Sequence, residues 1–127
     1  MFEIDFDFVA CFDVDETLIS WSAPSGTHDF ELTHNGVTRT GKVLTRHVDR
    51  IIMHKFWGNG VVVWSKSGKS FAKAVIQKLK LEKYVDVVMA KSSFYYDDKK
   101  CEEFMGEHRF LYSSSNFSNI LFKKTKK

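Results

Sequence analysis

The stretch Phe8-Val9-Ala10-Cys11-Phe12-Asp13-Val14-Asp15-Glu16-Thr17-Leu18 decides how the rest of the chain is read. Its first half is apolar and ends abruptly at a carboxylate, the pattern of a short buried strand. Its second half sets Asp13 and Asp15 close together where that strand stops. Charges there are expensive unless a cation or a ligand compensates them. The first 16 residues also hold Glu3, Asp5, Asp7 and Glu16, and no lysine or arginine, so the compensation has to come from elsewhere. A hard divalent cation such as Mg2+ suits the role, because it takes one or two carboxylates together with water and phosphate oxygens. Taken alone, the same residues also read as an acidic turn opening a helix, since Asp-x-x-Thr suits a cap.

Working outward, Asp29–Thr33 and Val37–Thr40 flank His34-Asn35-Gly36, the strongest local hairpin signal. These strands are short and polar, which predicts a surface flap. Leu44, Val48, Ile51, Ile52 and Phe56 recur at helical spacing until Gly58-Asn59-Gly60 ends the run. Val61–Trp64 reads as a second buried strand. Phe71, Ala74, Val75 and Leu79 share one face of a helix over 69–81, and Val85–Met89 reads as a third strand. Phe94–Tyr96 reads as a short fourth strand before Asp97-Asp98, Lys99–Met105 as a short helix, and Arg109–Tyr112 as a fifth strand.

Strands alternating with helices across short turns predict an α/β fold, a three-layer, Rossmann-like, mainly parallel sheet with helices on both faces. Ligands of such sheets sit at the carboxyl ends of the strands. Asp13, Ser65, Lys91 and Asp97 each follow one of the first four strands. Singly, each has a plainer reading. Ser65 suits a helix cap, with Ser67 as its competitor, Lys91 a solvated surface lysine, and Asp97-Asp98 a turn.

Phe12-Asp13-Val14-Asp15-Glu16-Thr17-Leu18 resembles the first motif of the haloacid dehalogenase (HAD) superfamily. Val61–Ser65 resembles its second motif, an apolar strand ending in a hydroxyl, Lys91 its third, and Tyr95-Tyr96-Asp97-Asp98 its fourth. The order is that of the superfamily, although Ser92 follows the lysine where small members often have proline. Between Thr17 and Ser65 only a hairpin and a helix fit, so the resemblance is to the small, capless phosphatase-like members. It implies an HAD-like fold and phosphomonoester hydrolysis through an aspartyl-phosphate. Asp13 is then the nucleophile, Asp15 the general acid and base, and Thr17 the residue that orients Asp15. Ser65 and Lys91 bind the phosphoryl group, and Lys91 also neutralises charge on Asp13. Mg2+ is held by Asp13, the Asp15 carbonyl and the Asp97-Asp98 pair, with Asp98 the direct ligand. Phosphotransfer on the same residues, a silent phosphate-binding module and a nucleic-acid-binding protein are the alternatives. Asp15 speaks against dehalogenation, whose leaving group needs no acid.

The 127 residues fit one domain, expected over 1–122, followed by a basic tail over 123–127. The net charge of +3 comes from that tail, with its four lysines, and the body is close to neutral. The tail reads first as a solvated end, and a contact with nucleic acid rests on it alone. Cys11 and Cys101 form no CxxC pair, and Cys11 reads as a small core residue. Acidic residues stand near the N-terminus where a signal peptide needs positive charge, and no apolar run reaches the length of a membrane span. A cytoplasmic, reducing location is therefore expected. No histidine pair has zinc-like spacing. His47 and His54 read as helix surface or core edge, His28 and His34 lie near the flap, and the tryptophans Trp21, Trp57 and Trp64 read as packing residues. With only a hairpin to cover the site, the expected substrate is a phosphorylated molecule of some bulk, a polynucleotide end or a phosphoprotein. A monomer and a homodimer whose neighbour completes the site are both compatible with this.

Overall fold

The computed structural model describes residues 6–21 and 28–111. The basic tail at 123–127 and Tyr112, the end of the expected fifth strand, lie outside the described residues. Strand β1 (Val9–Asp13) pairs in parallel with β5 (Gly60–Ser65), and β5 with β6 (Val87–Ala90), giving the order β1-β5-β6. Helix α1 (Thr45–Phe56) leads into β5, and α2 (Lys69–Leu79) leads from β5 through a 3₁₀ turn at Glu82–Tyr84 into β6. The chain is an α/β protein with an HAD-like parallel sheet, and there is no cap domain among the described residues.

Helices α1 and α2 both pack against β5, and α2 also packs against β6. The burial pattern agrees with that. Phe12, Val61, Val63 and Ser65 are buried, whereas Val9 and Cys11 are exposed and Val62 and Trp64 only half covered. Cys11 is thus not a core residue, because it alternates with Phe12 and faces away from the helices. The core is aliphatic, with Ile51, Val61, Val63 and Val75 fully buried and Ile76 nearly so. Each contributes roughly 1.5–3 kcal/mol of transfer free energy.

A second, antiparallel sheet has the order β2-β4-β3, built from β2 (Ile19–Ser20), β3 (His28–His34) and β4 (Val37–Val43). The Asn35-Gly36 turn has φ 52° and 79°, the double left-handed conformation of a type I′ hairpin. The hairpin is longer than its polar sequence suggested and is not merely a surface flap. Phe30, Leu32 and Val43 enter the core and β3 packs on α2. Gly41 permits the close approach of β4 to β2, since a Cβ there would lie 2.4 Å from the Ser20 carbonyl oxygen and 2.9 Å from the Trp21 ring.

Phe94–Tyr96 does not form the expected fourth strand. These residues lie in a non-helical, non-strand segment with Phe94 and Tyr96 more than four-fifths exposed. The next helix, α3, covers Cys101–Phe104 only, and 109–111 forms no strand among the described residues.

Candidate active site

The register of the parallel sheet assembles the site. Asp13 pairs with Trp64, so it ends one residue short of Ser65, and Ser65 pairs with Ala90, so Lys91 follows at the same level. The Lys91 N–H donates to the Ser65 carbonyl at 2.9 Å, which fixes the start of the lysine's side chain. Its ammonium reaches to 3.9 Å from Asp13 Oδ1. Asp13 is half-buried, and this desolvation pushes its carboxyl above the usual aspartate value of 3.8. Lys91, a hydrogen bond from the Val14 backbone and Lys66 pull in the opposite direction, and Asp15 adds to the rise.

Immediately after Asp13 the chain makes a tight turn. The Val14 carbonyl accepts from Thr17, Leu18 and Ile19, and the Ile19 carbonyl accepts from Glu16. Glu16 adopts φ 61°, a left-handed conformation costing about 1–3 kcal/mol in a non-glycine residue. Its carboxylate helps offset that by accepting from the Ser20 hydroxyl at 3.1 Å and the Trp21 N–H at 2.9 Å. The turn does not use the carbonyl of Asp15 for these bonds, and it projects the Asp15 side chain beside Asp13.

Thr17 does not hold Asp15. The indole N–H of Trp21 donates to Asp15 Oδ1 at 2.6 Å, the Arg39 guanidinium lies 3.8 Å from the same oxygen, and the Ser67 hydroxyl is 3.5 Å from Oδ2. Thr17 anchors the turn from below instead. Its carbonyl meets His47 Nδ1 at 2.6 Å, and His47 Nε2 meets the Leu111 N–H at 2.8 Å. A backbone N–H can only donate, so Nε2 is the acceptor and Nδ1 carries the proton of a neutral imidazole. Burial lowers the His47 pKa from 6.5, in agreement with a neutral ring. His47 is therefore a buried structural link, further in than the helix surface or core edge expected of it, and the signal was present in the sequence, since it shares the apolar stripe of Leu44, Val48 and Ile51.

Ser65 is fully buried, and its hydroxyl oxygen accepts from the Ser67 N–H at 2.9 Å. Ser67, on the exposed turn, is the hydroxyl that faces Asp15. Helix α2 starts just beyond, with Gly68 as its N-cap, so its positive N-terminal end follows directly on Ser67. Beside it a groove of about 210 Å³ is lined by Leu32, His34, Val37, Arg39, Ser67 and Phe71, between the hairpin and α2.

Asp97 and Asp98 are not brought to this cluster. Asp97 accepts from the Lys99 N–H at 3.0 Å in a local turn, Asp98 is exposed, and neither contacts Asp13 or Asp15 among the described residues. No three His, Cys, Asp or Glu side chains among the described residues gather as a metal cage. The strand-end half of the expected donor set nonetheless fits Mg2+. Asp13 offers a desolvated carboxylate that a cation would favour, next to the Asp15 carbonyl that the turn leaves unused.

No helix among the described residues is long and apolar enough to cross a membrane. No curated protein and no solved structure matches the chain. Residues 8–113 match the family described as NLI interacting factor-like phosphatase, a span that contains Asp13, Asp15, Ser65 and Lys91. Members of that family are small, capless phosphatase domains of the HAD superfamily, hydrolases of phosphoric monoesters. With a strand-end aspartate paired to a lysine and a match along most of its length, the chain belongs to the NLI interacting factor-like phosphatase family.

Proposed function

We propose that this phosphatase works through an aspartyl-phosphate on Asp13 with Mg2+ as cofactor. The observation that supports it most is the Asp13–Lys91 pair, which joins the ends of β1 and β6 across β5, with Asp15 on the turn after β1. An Asp13 carboxylate oxygen attacks phosphorus, the bond from phosphorus to the leaving oxygen breaks, and Asp15 gives that oxygen a proton. In the second half, Asp15 takes a proton from water as the water attacks phosphorus. Asp13 is freed and inorganic phosphate leaves. Lys91 offsets charge on Asp13 and on the phosphoryl oxygens, and the hydroxyl of Ser67, whose backbone N–H is tied to the buried Ser65, is a neutral donor on the groove side. Mg2+ would be held by Asp13 and the Asp15 carbonyl, and it would screen the anionic nucleophile from the anionic phosphate. Asp97 and Asp98, held in a separate exposed turn, are left off the ion in this reading.

The groove between hairpin and α2 is open, so it accommodates a phosphorylated side chain or chain end rather than enclosing a small metabolite. Hydrolysis of an aryl phosphate by the purified chain, dependent on Mg2+ and lost in Asp13→Asn, tests the proposal. Turnover that persists in excess chelator would remove the metal, and turnover by Asp13→Asn would remove the nucleophile.

A further inference from the structure

Asp15 has to deliver its proton in one direction, and its surroundings are asymmetric. Oδ1 accepts the Trp21 indole N–H at 2.6 Å and lies 3.8 Å from Arg39, whereas Oδ2 meets the Ser67 hydroxyl at 3.5 Å, its one hydrogen-bond partner among the described residues. An indole N–H can donate but not accept, so Oδ1 is an acceptor whatever the protonation state of the carboxyl group. The proton of the acid form therefore sits on Oδ2, the oxygen on the Ser67 side, where the groove opens.

The indole itself is locked. Its backbone N–H is tied to Glu16 at 2.9 Å, and its ring meets Phe30 edge-on at 5.9 Å and Phe71 at 6.3 Å. The Arg39 guanidinium lies over the ring at 4.1 Å, and Gly41 leaves the space into which the ring fits. A half-buried tryptophan needed only for packing would not require its one polar atom to end on a carboxylate beside the nucleophile.

We infer that Trp21 is a positioning residue for catalysis. Its N–H fixes the rotation of the Asp15 carboxyl group so that the proton-bearing oxygen faces the leaving group. Arg39 supports this by clamping the indole from the solvent side. The inference rests on Asp15 being the general acid, and it names a residue that acts on that acid from the hairpin side of the site.

The test is Trp21→Phe, which keeps an aromatic ring and removes the N–H. It is assayed with Mg2+ on two substrates, p-nitrophenyl phosphate and phenyl phosphate. The first leaving group departs without a proton, and the second, with a phenol pKa of about 10, needs one. The expected result is a loss of kcat/KM of about tenfold or more on phenyl phosphate, a substantial part of what general acid catalysis supplies, with little change on p-nitrophenyl phosphate. A residue that only packs would lower both equally. Should the phenylalanine variant fold poorly, 3-benzothienylalanine placed at position 21 preserves the indole shape and lacks the N–H, and the same selective loss is expected. Asp15→Asn is run alongside. If it shows the selective loss and neither Trp21 variant does, the inference is overturned while Asp15 remains the acid. If Asp15→Asn itself shows no selectivity, the acid assignment falls and the positioning role with it.

Discussion

The ammonium of Lys91 stands 3.9 Å from the Oδ1 of Asp13, bridging the ends of β6 and β1 across the intervening strand β5. Lys91 is the second-largest influence on the Asp13 carboxyl, after burial, and it acts against burial. Replacing Lys91 with methionine keeps the stem and removes the charge. It should lower kcat/KM by about 10²–10³, as loss of a preorganised electrostatic partner does, with the chain still folded by circular dichroism. An unchanged rate would separate Lys91 from the chemistry.

Burial of Asp13 also makes a stability prediction. Its folded pKa lies above the unfolded value of 3.8, so between the two the folded state holds more protons. Stability then falls as pH rises through that window, and the cost is fully present at neutral pH. Asp13→Asn should therefore melt at a higher temperature than the wild type at pH 7 in chelator. The two should converge once the solution is acidic enough to protonate Asp13 in both states. A lower melting point for the variant at pH 7 would show that the carboxylate stabilises the fold.

His47 carries the opposite sign. Burial, the largest influence, lowers its pKa from 6.5, and His54 is shifted the same way. Below about 6.5 the unfolded state takes up protons that the folded state resists, so stability is fully present above that pH and is lost as pH falls. Protonation would also place a second N–H on Nε2, against the Leu111 N–H. His47→Gln should lose about 1–3 kcal/mol at pH 7, from the unpaired buried groups it leaves. It should also show a shallower decline between pH 7 and 5 in urea titrations. An identical pH slope in the variant would assign the decline to other groups.

Much of the site was legible because β-strands announce themselves by short apolar runs and because a parallel sheet aligns their ends. Asp13, Ser65 and Lys91 follow from that alone. Asp97-Asp98 did not, because Phe94-Tyr95-Tyr96 is as apolar as a strand yet finds no strand partner among the described residues. Apolar composition favours strand, but only pairing makes one. The partners of Asp15 were equally hidden. Trp21 and Arg39 reach it only once β2 and β4 pair, a tertiary event with no local signature, and they, rather than Thr17, contact its carboxylate among the described residues. Phe30 and Leu32 were underestimated because their neighbours Asp29, Glu31 and Thr33 are polar, although alternation is what a half-buried strand shows.

The loop position of Asp97 and Asp98 makes the metal site testable in its parts. With neither acid in contact with Asp13, the double variant Asp97→Asn, Asp98→Asn should change the Mg2+ concentration for half-maximal activity by no more than about twofold, as surface changes usually do. A rise of an order of magnitude would place the pair on the ion.

Gly41 links the hairpin to the site. Gly41→Ala drives a methyl group against the Ser20 carbonyl and the Trp21 ring. It should cost about 1–3 kcal/mol in unfolding free energy, the usual range for overpacking. A neutral effect would mean that β4 shifts without strain.

Chemical trapping of the intermediate tests the nucleophile most directly. The chain is mixed with Mg2+ and an aryl phosphate, quenched in acid and digested, and the peptide containing Asp13 is examined by mass spectrometry. A parallel sample is reduced with borohydride, which converts an acyl-phosphate to an alcohol. One phosphoryl group on Asp13, replaced by homoserine at position 13 after reduction and absent from Asp13→Asn, is the predicted result. Active turnover with the label on another residue, or turnover by the Asp13→Asn chain, would contradict it.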